Sequence, residues 1–152
     1  MVECDKIAIE NLLSFLKGAY MKIILCIDER RGMMFNQRRQ SRDRVLIDDM
    51  LAYIGDETLC ISPYSSSLFE GKTNVRVVKS FSKANAYTYC FIEDADPCAL
   101  AENVDEVVLY HWNRHYPADR YFQMDLRDFT LTETVEFAGS SHEKITREVW
   151  KK

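Results

Sequence analysis

A chain of 152 residues with 47% apolar and 29% charged side chains has the make-up of one soluble domain that buries its core without covalent staples. Its net charge of −4 argues against general nucleic-acid binding, which calls for a basic domain, and no window approaches the ~18 consecutive apolar residues of a membrane span. Five cysteines (Cys4, Cys26, Cys60, Cys90, Cys98) form no C-x-x-C pair, and the odd count suits reduced thiols in a cytoplasmic protein.

Residues 1–20 stand apart. Asp5 is placed to cap a helix over Lys6–Lys17, with Ile9, Leu12, Leu13 and Leu16 on one face and Gly18 near its end. Glu10, Asn11 and Ser14 break the apolar stretch, so no signal peptide is expected. Met21 opens MKIILCID, itself an ordinary N-terminus. Residues 1–20 are therefore read as a docking helix or an upstream extension, ahead of a single domain over 21–152.

Lys22–Ile27 is apolar and β-branched, as expected of a central strand covered on both faces. Next comes ERRGMMFNQRRQSRDR, residues 29–44, read as a loop. Its six arginines, Arg30, Arg31, Arg38, Arg39, Arg42 and Arg44, face only Glu29 and Asp43 in the same stretch, a local excess of four positive charges. One reading is a solvated charged face. Another is an anion site, because guanidinium groups would stand around the start of a helix, where the dipole also favours anions. Phosphate contact with nucleic acid is a third reading, and it predicts binding that weakens steeply with salt.

Ser41 can open that helix, with Val45, Leu46, Met50, Leu51 and Ile54 at helical spacing and Gly55 as the stop. Strands are expected at Thr58–Ile61, Asn74–Val78, Tyr87–Ile92 and Val104–Tyr110, with a short helix over Pro97–Glu102. Thr130–Phe137 and Ile145–Trp150 form a closing hairpin around Gly-Ser-Ser. Alternating strands and helices followed by a hairpin predict an α/β fold, a mixed, mostly parallel sheet with flanking helices.

Other chemistry is thinly represented. The loop from His111 to Phe122 is polar and aromatic, and Tyr110, His111 and Trp112 at the end of a strand are candidates to line a ligand crevice. The alternative is a loop covering the sheet edge. No metal site is expected. His111 and His115 are not on a helix, His142 lies in the hairpin turn, and no H-x-H-x-D-H run supports the two-zinc chemistry of a ribonuclease Z. No Gly-x-Ser-x-Gly elbow occurs. Ser65–Ser67 suits a helix start, and a cysteine nucleophile would need a histidine neighbour that sequence cannot place.

Several of these segments together resemble dihydrofolate reductase. In that family the first strand ends in an apolar-Asp segment and enters a mobile loop containing glycine; here Ile27-Asp28 and Gly32 match, followed by Met33-Met34. An acidic residue that contacts the pterin opens the family's next helix, and Asp43 falls within one residue of it. A later strand runs into Gly-Asp-Thr-aromatic-Phe; Ala118-Asp119-Arg120-Tyr121-Phe122 follows Val107–Tyr110 at similar spacing. The closing hairpin also matches in length, so the likeness covers about residues 21–152.

The resemblance implies a dihydrofolate-reductase-like fold. It also implies Asp43 as the catalytic acid, or else a partner of Arg42 or Arg44, and Asp119 as the residue that positions the mobile loop. The departures lie at the cofactor. Where the family holds the NADPH pyrophosphate with Gly-Gly, this chain has Glu93-Asp94-Ala95-Asp96, and where it has Gly-Arg-His/Lys-Thr, this chain has Ser62-Pro63-Tyr64-Ser65.

Ordinary NADPH binding is disfavoured, the cofactor is left unknown, and whether the chain is an enzyme is left open. The expected function is binding of a small anionic ligand between the Arg-rich loop and the His111–Phe122 loop. The alternatives are an NAD(P)H-dependent reductase of a pterin-like substrate, or a protein or nucleic-acid interaction module. Assembly into a homo-oligomer is left open.

Overall fold

The computed structural model describes residues 20–81 and 88–152; the expected helix over Lys6–Lys17 lies outside them. Ten strands and one α-helix appear among the described residues: β1 Met21–Ile27, β2 Gly32–Phe35, β3 Arg38–Arg39, α1 Arg44–Ile54, β4 Leu59–Ile61, β5 Val75–Val77, β6 Tyr89–Phe91, β7 Val104–His111, β8 Arg120–Tyr121, β9 Thr130–Phe137 and β10 Ile145–Lys151. Two 3-10 helices, Pro63–Phe69 and Pro97–Asn103, add to these.

Seven strands form one sheet in the order β5-β4-β6-β1-β7-β10-β9. All neighbours are parallel except at β10, which runs antiparallel to both β7 and β9. This is the mixed, mostly parallel sheet with a terminal antiparallel hairpin that the sequence pattern predicts.

β1 sits at the centre, and its alternate side chains go to opposite faces. Ile23, Leu25 and Ile27 join one apolar cluster with Val107, Leu109, Met33, Met34, Phe122 and Met124. Ile24 joins the other, with Leu46, Ile47 and Met50 of α1. Each fully buried Ile or Leu contributes roughly 1.5–3 kcal/mol, so both faces drive the same strand into place. On the Ile23 face, β2, the 122–129 segment and the 3-10 turn at Leu100-Ala101 do the covering that an α-helix does on the other.

Two expectations are corrected. The helix does not open at Ser41. Asp43 is its N-cap, with a carboxylate that accepts from the backbone N–H groups of Val45 and Leu46, and so satisfies two donors that Ser41 is too far upstream to reach. The Arg-rich stretch is not a loop throughout. β2 and β3 pair around Asn36-Gln37, both with positive φ (54° and 62°), which is the backbone of a two-residue hairpin turn. β8 pairs with the other side of β2, making a small second sheet over the first.

Candidate functional site

Three elements point their carboxyl ends at one place. β1 delivers Asp28, β6 delivers Ile92 and Glu93, and β7 delivers Trp112. Ligands of open α/β sheets sit beyond the carboxyl ends of the strands. In this chain residues 39–41 occupy much of that position. The cavity between Cys26, Ile92, Glu93, Trp112 and the 39–41 segment is only about 10 Å³, roughly the room one water needs. Beside it, across Arg39 and Gln40, lies an open crevice of about 450 Å³ lined by Phe35, Asn36, Arg38, Tyr116 and Pro117.

Two carboxylates hold this architecture. Asp28 is 2% exposed. Its Oδ1 accepts from the N–H groups of Arg30 (2.9 Å) and Gly32 (2.7 Å), and its Oδ2 from Tyr116 N–H (3.1 Å) and the Gln40 amide (3.2 Å). One side chain therefore ties together the ends of β1, β3 and the 111–122 loop. Burial opposes its ionisation, but these bonds prevail and its pKa is lowered. Gly32 is the close-approach point. A Cβ there would lie 2.6 Å from both Ala118 Cβ and Gln40 Nε2.

Asp43 is 3% exposed and His142 4%. Besides capping α1, Asp43 accepts from Ser140 N–H (2.9 Å) and Ser141 N–H (2.8 Å), with both serine hydroxyls at 3.1 Å and His142 Nδ1 at 3.0 Å. Burial raises its pKa, but the donors of Ser140, Ser141, His142 and Leu46 more than reverse this and hold it well below the usual carboxylate range. An ionised Asp43 only accepts, so the His142 proton sits on Nδ1. In the neutral ring Nε2 is then an acceptor, and two hydroxyls reach it: Tyr116 at 2.8 Å and Ser41 at 3.2 Å. Trp112 stacks on the ring at 4.6 Å.

The six arginines do not share one point. Arg30 and Arg31 lie on the turn after β1, where the Arg31 guanidinium covers the Phe122 ring at 5.3 Å. Arg42 and Arg44 line a separate cleft of about 100 Å³ near Asp48 and Lys72. Neither is Asp43's partner. Arg39 forms a two-point pair with Glu93 (2.9 and 3.0 Å) and lies over Tyr64. The Glu93 bonds raise its pKa beyond the ordinary guanidinium value. Arg38 lines the open crevice and forms no ion pair among the described residues.

Asp119 accepts from Asn36 N–H at 3.0 Å at the tip of the β2–β3 turn, while its own N–H donates to Met34 O. Trp112 lines the small cavity. Tyr110 is turned to α1, donating to Asp49 Oδ2 at 2.7 Å, and His111 pairs with Glu148 across β10 at 2.7 Å.

Sequence reading gave no individual site role to Asp28, Gln40, Ser41 or His142, and placed Tyr116 only within the polar-aromatic loop expected to line a crevice. The contacts that define them span up to 101 residues, so no local spacing announces them. Cys26 lines the small cavity too, but burial first and Glu93 second raise its pKa, leaving a thiol unsuited to attack.

The cofactor implied by the resemblance has a testable seat after β6, a crevice of about 460 Å³ lined in part by Ser62, Lys79, Asp94 and Asp96. Asp94 accepts from Ser62 Oγ (2.8 Å), and Asp96 accepts from Cys98 N–H (2.9 Å). Both carboxylates therefore occupy these donors and put negative charge into a crevice that Lys79 also lines. No three His, Cys, Asp or Glu side chains among the described residues gather as metal ligands, and no described helix is long and apolar enough to cross a membrane.

The class defined so far is an α/β protein with a crevice at the carboxyl ends of a mostly parallel sheet. The sequence matches no family model and no curated protein. By structure the chain is similar to dihydrofolate reductase from Enterococcus faecalis, solved as a complex with NADP(H) and RAB-propyl. The TM-score is 0.63 at 10% identity, covering 89% of this chain and 96% of that one. The fold is dihydrofolate-reductase-like.

Proposed function

We propose that this protein uses a dihydrofolate-reductase-like scaffold to bind a small anionic molecule, and that it is not a functional dihydrofolate reductase. The observation that carries this reading is Arg38, a guanidinium with no ion pair among the described residues, at the edge of the 450 Å³ crevice. Tyr116 and Phe35 supply aromatic surface around it. Gln40 also lines the crevice and adds polar surface to it. Arg39 adds no net charge, because Glu93 neutralises it. The ligand is then a compact anion with a planar, hydrogen-bonding part.

Calorimetric titration with inorganic phosphate, nucleoside monophosphates and pterin carboxylates tests this. Binding by one of these probes is expected, with Arg38→Ala weakening it about tenfold or more, as loss of a charge-assisted bond implies. Affinity equal in the Arg38→Ala variant would remove the reading. The fold alone keeps an NAD(P)H-dependent reductase as a second reading, and Asp94 and Asp96 speak against it.

A further inference from the structure

A hydrogen-bonded chain runs from Asp43 through His142 to Ser41, and the anion-binding reading has no use for it. Asp43 Oδ2 accepts from His142 Nδ1 (3.0 Å), and His142 Nε2 faces Ser41 Oγ (3.2 Å). That order, carboxylate to Nδ1 and Nε2 to hydroxyl, is the arrangement that activates serine nucleophiles on unrelated folds. Asp43 fixes the tautomer. Trp112, stacked on the ring, fixes its plane. Ser41 is the least buried of the three and lines the small cavity at the strand ends, so the hydroxyl borders free space while the base behind it is shielded from water.

We propose that Ser41 is a nucleophile, with His142 as its general base and Asp43 as the residue that orients the base, in a site that transfers acyl groups from small esters to water. Ser41 Oγ attacks the ester carbonyl carbon, forming the new C–O bond as its proton passes to His142 Nε2. The tetrahedral intermediate collapses by breaking the bond to the leaving alcohol, which departs with the electron pair and takes the proton from Nε2. Water then repeats the sequence on the acyl-serine, releasing the carboxylic acid and restoring Ser41. Ester and water give acid and alcohol, and no electron carrier is needed.

The cavity of about 10 Å³ beside Ser41 holds no more than a water, so an ester has to approach the hydroxyl from the open crevice that adjoins it across Gln40. Tyr116 is a competitor in the resting state. Its hydroxyl also reaches Nε2, at 2.8 Å, and the neutral ring has one lone pair there to accept with. Removing that hydroxyl leaves Nε2 to Ser41.

The test is covalent labelling of the full chain with a fluorophosphonate, in which a Ser–P bond forms, the P–F bond breaks and the serine proton goes to His142. The adduct is then mapped by mass spectrometry. An adduct on Ser41 is expected, absent from Ser41→Ala and from protein unfolded in guanidinium. Tyr116→Phe labels faster than the parent. Asp43→Asn lowers the limiting labelling rate about 100-fold while leaving the half-saturating probe concentration unchanged, a split that a merely distorted site would not give. No adduct on the folded parent chain, an adduct on another residue, equal labelling after unfolding, or unchanged or slower labelling of Tyr116→Phe would each overturn the proposal. The map on the parent chain decides the matter even where a variant fails to fold.

Discussion

Asp43 shows how a single carboxylate can serve both a helix and a distant turn. It caps α1 and at the same time binds two backbone donors and a buried imidazole contributed by residues 140–142. Asp43→Ala would leave these donors unpaired in a site closed to solvent, at a cost of about 3 kcal/mol. Urea unfolding at neutral pH measures it, and a loss below about 1 kcal/mol would show that water replaces the carboxylate. The acid limb follows from the sign of the shift. A carboxyl held below its ordinary value of 3.8 in the folded chain contributes stability that is complete above that value and drains away as pH falls below it. Asp28 acts in the same direction. The parent chain should therefore lose more stability between pH 6 and pH 3 than Asp43→Asn does. Parallel losses in the two proteins would mean that folding does not lower the Asp43 pKa.

Among the elements, the turn between β9 and β10 is the one that works by contact. Gly139 has room for no side chain: a Cβ there would overlap Asp43 Oδ2 and approach Ile145 Cδ1 to 2.7 Å. Gly139→Ala should cost about 1–3 kcal/mol, the range for forced overpacking, and thermal unfolding measures it. An unchanged midpoint would mean that the turn stands off from α1. The long strands were legible in the sequence because their apolar periods are clear. Thr130–Phe137 has the bounds expected, and the expected Val104–Tyr110 strand runs to His111. β2 and β3 were not legible. Their turn is Asn36-Gln37, without the glycine that announces such hairpins, and the arginines masked any alternation. The same stretch supplied the arginine cluster, and only the folded hairpin shows that Arg39 is neutralised while Arg38 is not.

At the scale of the whole molecule, the mixed, mostly parallel sheet and the closing hairpin were readable from the sequence, because strand-helix alternation leaves a local trace. The candidate site was readable only in part. Trp112 lines the small cavity and Asp119 holds the β2–β3 turn, but the grouping of Ser41, Tyr116 and His142 depends on loops that fold over the strand ends from both halves of the chain. The acidic run after β6 gives a prediction that depends on the overall layout. The fluorescence of NADPH should stay unchanged when protein is added up to millimolar concentration, since Asp94 and Asp96 put negative charge into the crevice after β6. Saturable micromolar quenching would restore the reductase reading.

The position of β10 has a consequence for synthesis on the ribosome. This strand is drawn from residues 145–151 yet lies inside the sheet, between β7 and β9, and the turn before it completes the cap of α1. A nascent chain that has exposed everything up to β9 still lacks the strand that joins β9 to the rest of the sheet. It also lacks His142 and the donors that Asp43 requires. The native state cannot close until residues 140–151 leave the exit tunnel, and until then β7 presents an unpaired edge. The site exists only once residues 140–151 are free to fold onto the rest of the chain.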